Sequence, residues 1–116
     1  MNNIEILVEP KSKSHVGWFV HLFSWNKQRR DLIAHRLKLK SRTGGKFILS
    51  SEAKLPNGTY GLRLHVIESG NKASITVVEK PPISYPMGAA WPMTVEVPAQ
   101  FTQDSDTWFF EHGDEA

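Results

Sequence analysis

Thr59-Tyr60-Gly61-Leu62-Arg63-Leu64-His65-Val66-Ile67-Glu68-Ser69-Gly70-Asn71-Lys72-Ala73-Ser74-Ile75-Thr76-Val77-Val78 is the stretch whose reading decides the fold class. Tyr60, Leu62, Leu64 and Val66 recur at every second position, Glu68-Ser69-Gly70-Asn71 interrupts them with turn-forming residues, and Ala73, Ile75 and Val77 resume the period. Successive residues of a strand point to opposite sides, so a period of two gathers these side chains on one face of an extended chain. The stretch predicts two strands joined as a hairpin.

Working outward, the same signature recurs. Ile4, Leu7 and Val8 form a short apolar run ended by Pro10. Val16, Trp18, Val20 and Leu22 share one face of the next run while Phe19 and Phe23 take the other, which is the pattern of a central strand apolar on both sides. His35-Arg36-Leu37-Lys38-Leu39-Lys40 alternates, Arg42-Thr43-Gly44-Gly45 supplies a turn and Lys46-Phe47-Ile48-Leu49 resumes, predicting a hairpin with a basic outer face. Met93–Val97 and Thr107–Phe110 are further strand candidates. The stretch 27–34, Lys27-Gln28-Arg29-Arg30-Asp31-Leu32-Ile33-Ala34, has good helix formers but room for only about two turns, so a short helical turn or a connecting strand is expected there. The fold class that follows is all-β: an antiparallel β-sandwich of about 7–8 strands in one domain over residues 1–110, with 111–116 a frayed polar tail.

Leu55-Pro56-Asn57-Gly58-Thr59-Tyr60, followed by Leu62, Leu64 and Val66, resembles the corner leading into a late strand of immunoglobulin-like and fibronectin type III-like sandwiches. The resemblance implies that Tyr60 hydrogen-bonds back across the corner and pins the turn between the two sheets. In those families the corner comes near the end of the chain, whereas two strand candidates still follow Ile75 here, so a jelly roll also fits. The resemblance speaks to fold and implies no function.

The composition, 40% hydrophobic and 22% charged over 116 residues, is that of a globular chain and too apolar for a disordered one. The absence of cysteine excludes a disulfide scaffold, a Cys-ligated metal and a thiol nucleophile. No stretch approaches the roughly 18 apolar residues of a membrane span, and the start has no basic segment followed by an apolar run, so a cytoplasmic location is expected. Asn57-Gly58-Thr59, which fits a glycosylation acceptor, is read as a tight turn. Charge is uneven: residues 1–54 hold 11 Lys/Arg against 4 Asp/Glu, and residues 55–116 hold 3 against 8. Such asymmetry fits an anionic partner for the first part, or attraction between two parts of one sandwich.

No phosphate-binding glycine loop, nucleophile elbow or His-Glu-x-x-His helix occurs, so no catalytic residue, metal site or cofactor is expected. His15, His21, His35, His65 and His112 are scattered, with His21 and His65 placed to approach each other across a sheet and His112 in the polar tail. Two segments carry binding potential. Pro81–Val95, PPISYPMGAAWPMTV, has no charged residue, and its Tyr85, Met87, Trp91 and Met93 either plug the end of the sandwich or meet a protein partner or a second copy of the chain. Arg36, Lys38, Lys40 and Arg42, with Arg29, Arg30 and Lys46 at the margins, form a basic stripe that suits nucleic acid or another polyanion, or protects an exposed strand edge. Sugar binding through exposed Trp18, Trp25, Trp91 or Trp108 is a further alternative. The expectation is a non-catalytic interaction module, self-associating or part of a larger assembly through the Pro-rich loop.

Overall fold

The alternating segments do become strands, and their apolar sides face one another across a single core. The computed structural model describes residues 1–11, 18–26, 28–66, 72–96 and 107–113. Within them run β1 (Glu5–Pro10), β2 (Trp18–Asn26), β3 (Asp31–His35), β4 (Leu37–Thr43), β5 (Lys46–Ser51), β6 (Gly58–Val66), β7 (Lys72–Val77), β8 (Ile83–Tyr85), β9 (Met93–Glu96) and β10 (Thr107–His112). The first sheet has the order β4-β5-β1-β7-β9 and the second the order β3-β2-β6-β10-β8, with every pairing antiparallel. Among the described residues no helix is long and apolar enough to cross a membrane.

The core forms where the two sets of alternate residues meet. Ile6 and Val8 of β1 and Ala73, Ile75 and Val77 of β7 come from the first sheet; Leu22, Tyr60, Leu62, Trp108 and Phe110 come from the second. Each large apolar side chain fully removed from water contributes about 1.5–3 kcal/mol, which makes this layer the main source of stability. Tyr60 Oη donates to the Pro56 carbonyl at 2.7 Å, so the corner hydrogen bond implied by the resemblance is present. Burial raises the Tyr60 pKa above the ordinary phenol value, in keeping with its role as a neutral donor.

Several expectations need correcting. The strands at 59–66 and 72–77 exist, but they are not a hairpin: β6 pairs with β2 and β10, while β7 pairs with β1 and β9 in the opposite sheet. Alternation states which side of a strand is apolar and is silent about its neighbour, and two apolar sides can meet across a core as well as lie side by side. The connecting turn, Glu68–Asn71, lies outside the described residues. In immunoglobulin-like sandwiches the strand after the corner strand pairs with it. Here it leaves the sheet, so the corner is shared without the strand order.

The alternating run 35–40 is likewise split. His35 ends β3 in the second sheet, Arg36 carries the crossing, and Leu37 begins β4 in the first. Of the two forms expected for 27–34 the connecting strand is the one present: a turn at Gln28–Arg30, with Arg30 at φ 54°, leads into β3. The proline-rich stretch contains the three-residue strand β8 before Met93. With β3 and β8 the described strands number ten, above the expected seven or eight. The β4–β5 hairpin is as expected: Gly44 and Gly45 take φ of 59° and 80°, the two positive values that a two-residue hairpin turn requires.

The polar end of the chain is not frayed through residue 113. Glu111 and His112 extend β10 against Thr59 and Gly58. The buried His112 ring lies with Nδ1 2.5 Å from Glu79 Oε1 and Nε2 3.1 and 3.2 Å from the Asn2 and Leu55 carbonyls. The same two residues form the bridge Asn2↔Leu55, so one imidazole clasps the N-terminal segment, the corner and the turn after β7.

Candidate functional site

Registering the strands defines two outer faces, one on each sheet. On the second sheet Leu22, Leu62 and Trp108 point into the core, so their neighbours in sequence point out. Ala34, Phe23, Gly61, Phe109 and Tyr85 then line up across all five strands on the side away from the core. Trp25 and Leu32 oppose each other in the adjoining row, as do Thr59 and Glu111. The result is an apolar, aromatic outer face with no layer of the described structure covering it. Trp25 is 39% exposed, Leu32 50% and Tyr85 62%.

The packing of this face follows from one glycine. Phe23 lies across Gly61, and a Cβ on Gly61 would stand 2.3 Å from the Phe23 ring, so the absent side chain is what lets the ring settle onto the sheet. Phe109 meets Phe23 edge-on, with centroids 5.8 Å apart and ring planes at 83°, and Tyr85 meets Phe109 at 6.3 Å and 60°. Arg63 lies with its guanidinium carbon 5.7 Å from the Phe23 centroid and donates from Nε to Thr107 Oγ1 at 3.1 Å. A shallow groove of about 510 Å³ runs between Trp25, Leu32, Phe23 and Phe109, rimmed by Thr59, Arg63 and Thr107. A second depression of about 460 Å³ lies where β3 departs toward β4, lined in part by His21, His35, Arg36 and Arg63. Burial lowers the His35 pKa, and its Nε2 lies 3.0 Å from Ser24 Oγ.

The Pro81–Val95 residues divide between inside and outside. Trp91 turns in: its Nε1 donates to the Pro81 carbonyl at 2.6 Å and its ring meets Phe110 edge-on at 6.0 Å. Met93 also packs against the core. Tyr85 belongs to the aromatic outer face, and Met87, 90% exposed, stands on the turn between β8 and β9. The four residues therefore do not form one surface.

The basic residues are similarly dispersed. Lys38 pairs with Ser50 on the outer face of the first sheet, where Lys40 and Lys46 form ion pairs with Glu5 and Glu9 of β1. A bulge between Leu39 and Ser41 turns Arg42 to the side of Phe47, with its guanidinium carbon 6.0 Å from that ring. Arg36 sits on the crossing, and Arg29 and Arg30 on the exposed β2–β3 turn. The ion pairs Lys11–Glu9, Lys40–Glu5 and Lys46–Glu9 all join residues within 1–54, so these three link no acid of the later part.

Of the tryptophans, Trp108 is buried and Trp25 is exposed on the aromatic face, while the side chain of Trp18 lies outside the described residues. His21 opposes Arg63; His15 and the side chain of His65 also lie outside the described residues. Neither Phe23 nor Phe109 stands among the binding residues expected from the sequence, and Trp25 stands there only as a sugar-binding candidate. The signal for the outer face was nonetheless present: Phe23 and Trp25 are out of phase with Leu22, and Phe109 is out of phase with Trp108 and Phe110. No protein-family model, curated protein or solved structure matches the chain, so its function has to be argued from this geometry.

Proposed function

We propose that the protein is a non-catalytic interaction module that docks a protein partner on the outer face of its second sheet. The observation that carries the reading is the contiguous patch of Trp25, Leu32, Phe23, Phe109 and Tyr85 on a sheet face that nothing in the described structure covers. Exposed apolar surface of this kind marks a place where another surface belongs, and Trp and Tyr with an Arg at the rim are the residue types enriched at interface centres. Tyr85 links this face to the proline-rich segment, whose Trp91 and Met93 hold the segment against the core while Tyr85 stays outside.

The same geometry argues against the two other ligand classes. A sugar stacks on rings lying flat and near one plane, whereas Phe23, Phe109 and Tyr85 stand edge-to-face. Thr59 is already bonded to Glu111 and Thr107 to Arg63. A polyanion needs an open basic stripe, yet Lys40 and Lys46 lie against carboxylates and Arg42 is turned from Lys38 by the bulge.

Site-specific photo-cross-linking in cells tests the proposal. A photoreactive residue at Trp25 should capture a protein partner, while the same group at Lys38, on the outer face of the first sheet, should not. Equal capture from both positions, or none from Trp25, would remove the reading.

A further inference from the structure

Among the described residues the two sheets have four edge strands, and three are blunted. On β4 the pairing row is broken by the bulge after Leu39 and carries the exposed Lys38, Lys40 and Arg42. On the far side β8 is three residues long between Pro82 and Pro86, and β9 is four residues long behind Pro92. Charge, bulges, prolines and shortness are the devices by which edge strands avoid pairing with other chains. β3 has none of them along its middle: Leu32-Ile33-Ala34 is uncharged, pairs with β2 in unbroken register, and exposes Leu32 by 50% and Ile33 by 45% on its two faces.

We infer that β3 pairs with β3 of a second copy of this chain, antiparallel and centred on Ile33, joining the two second sheets into one ten-stranded sheet. The inference rests on the docking role of this sheet and names one partner for its open edge. A two-fold axis between antiparallel neighbours stands normal to the sheet, so it keeps the same face outward in both copies and the register has to be centred on a residue. Centring on Ile33 uses the whole five-residue strand. It sets Ile33 against Ile33, Leu32 against Ala34 of the second copy, and the Asp31 carboxylate against the His35 imidazole end.

A foreign peptide would lack this complementarity, which comes from the order Asp31-Leu32-Ile33-Ala34-His35 read in both directions. Because Leu32 lies beside Trp25 and Ala34 beside Phe23 within each copy, the two aromatic faces become continuous across the junction. Arg30 of one copy falls opposite Arg36 of the other. Both are exposed and both lie beyond the strand ends, so they limit the pairing to five residues, and salt that screens them should not weaken the dimer.

The absence of cysteine makes the test direct. Directly opposed residues of an antiparallel pair lie about 4.5–5.5 Å apart between Cα atoms, within the range a disulfide spans. Under mild oxidation Ile33→Cys should yield a disulfide-linked dimer at least tenfold faster than Lys38→Cys on the blunted edge. Sedimentation across a concentration and salt series should give twice the chain mass for the wild type and one chain mass for a folded Ile33→Lys variant. A wild type that stays monomeric at the highest attainable concentration, or Ile33→Cys linking no faster than Lys38→Cys, overturns the pairing. If photo-cross-linking at Trp25 still captures another protein in that case, the docking face stands and only the second copy is lost.

Discussion

The two outer faces of the sandwich are built from the same strand geometry and have been given opposite chemistry. On the first sheet Glu5, Glu9, Lys38, Lys40 and Lys46 surround Ser50, Ser74, Thr76 and the half-buried pair Leu7 and Ile48, and Lys40 and Lys46 lie against Glu5 and Glu9. On the second sheet the corresponding layer is Phe23, Trp25, Leu32, Phe109 and Tyr85, with Arg63 lying on an aromatic ring. A face intended only for water needs no such rings, since a sandwich is held together by its inner layer. The difference separates two jobs. On the proposed reading the first sheet faces water, and the second presents a surface to a partner.

The comparison can be broken most sharply at Phe23, which faces outward yet is buried against Gly61 and Phe109. Phe23→Ala should cost about 3 kcal/mol, read as a drop in the denaturant midpoint, because it removes the ring that organises the outer row. A cost near zero would mean that the outer row is decoration and not packed structure. Gly61→Ala probes the same contact from the other side: its new Cβ collides with the Phe23 ring, and a loss of about 1–3 kcal/mol is expected by thermal unfolding.

Substitutions at the exposed parts of the two faces should then diverge in function and not in stability. With the photoreactive residue moved to Tyr85 on the same face, Trp25→Ala should cost about 1 kcal/mol and abolish partner capture, whereas Lys40→Ala should change stability by less than about 0.5 kcal/mol and leave capture intact. Loss of capture in both variants would collapse the distinction between the faces.

The smallest effect concerns His35 at the open edge of the second sheet. Burial holds its pKa below the ordinary 6.5, so the unfolded chain takes up this proton first. The stability attached to the neutral ring is complete above pH 6.5 and declines as the pH falls toward the folded value. In His35→Gln the decline in denaturant midpoint below pH 6.5 should be shallower than in the wild type; an unchanged slope would assign the decline to other groups.

Much of this architecture could be read in advance from the chain. The period of two located Tyr60–Leu62 and Ala73–Val77, and Gly44-Gly45, both at positive φ, placed the hairpin turn after which Lys46–Leu49 resumes an extended run. What alternation could not supply was partnership. It joined β6 to β7 as neighbours when they belong to opposite sheets, and it ran through Arg36, where the chain changes sheets. The site was hidden for a related reason. A strand apolar on both sides, such as Val20–Trp25, reads equally as a buried central strand and as one with a sticky outer face, and only the absence of a covering layer decides between them. His112 was misjudged because a polar chain end resembles a loose one; its partners Asn2, Leu55 and Glu79 are distant in sequence.

The central claim is that the outer face of the second sheet is covered when the protein is at work. Hydroxyl-radical footprinting compares the chain in cells with the purified chain at high dilution. The account predicts that Trp25 and Tyr85 are oxidised several-fold more slowly in cells, while Met87, exposed but off the face, is oxidised at the same rate in both. Equal rates for Trp25 and Tyr85 in the two settings would mean that the aromatic face meets only water, and would contradict the account.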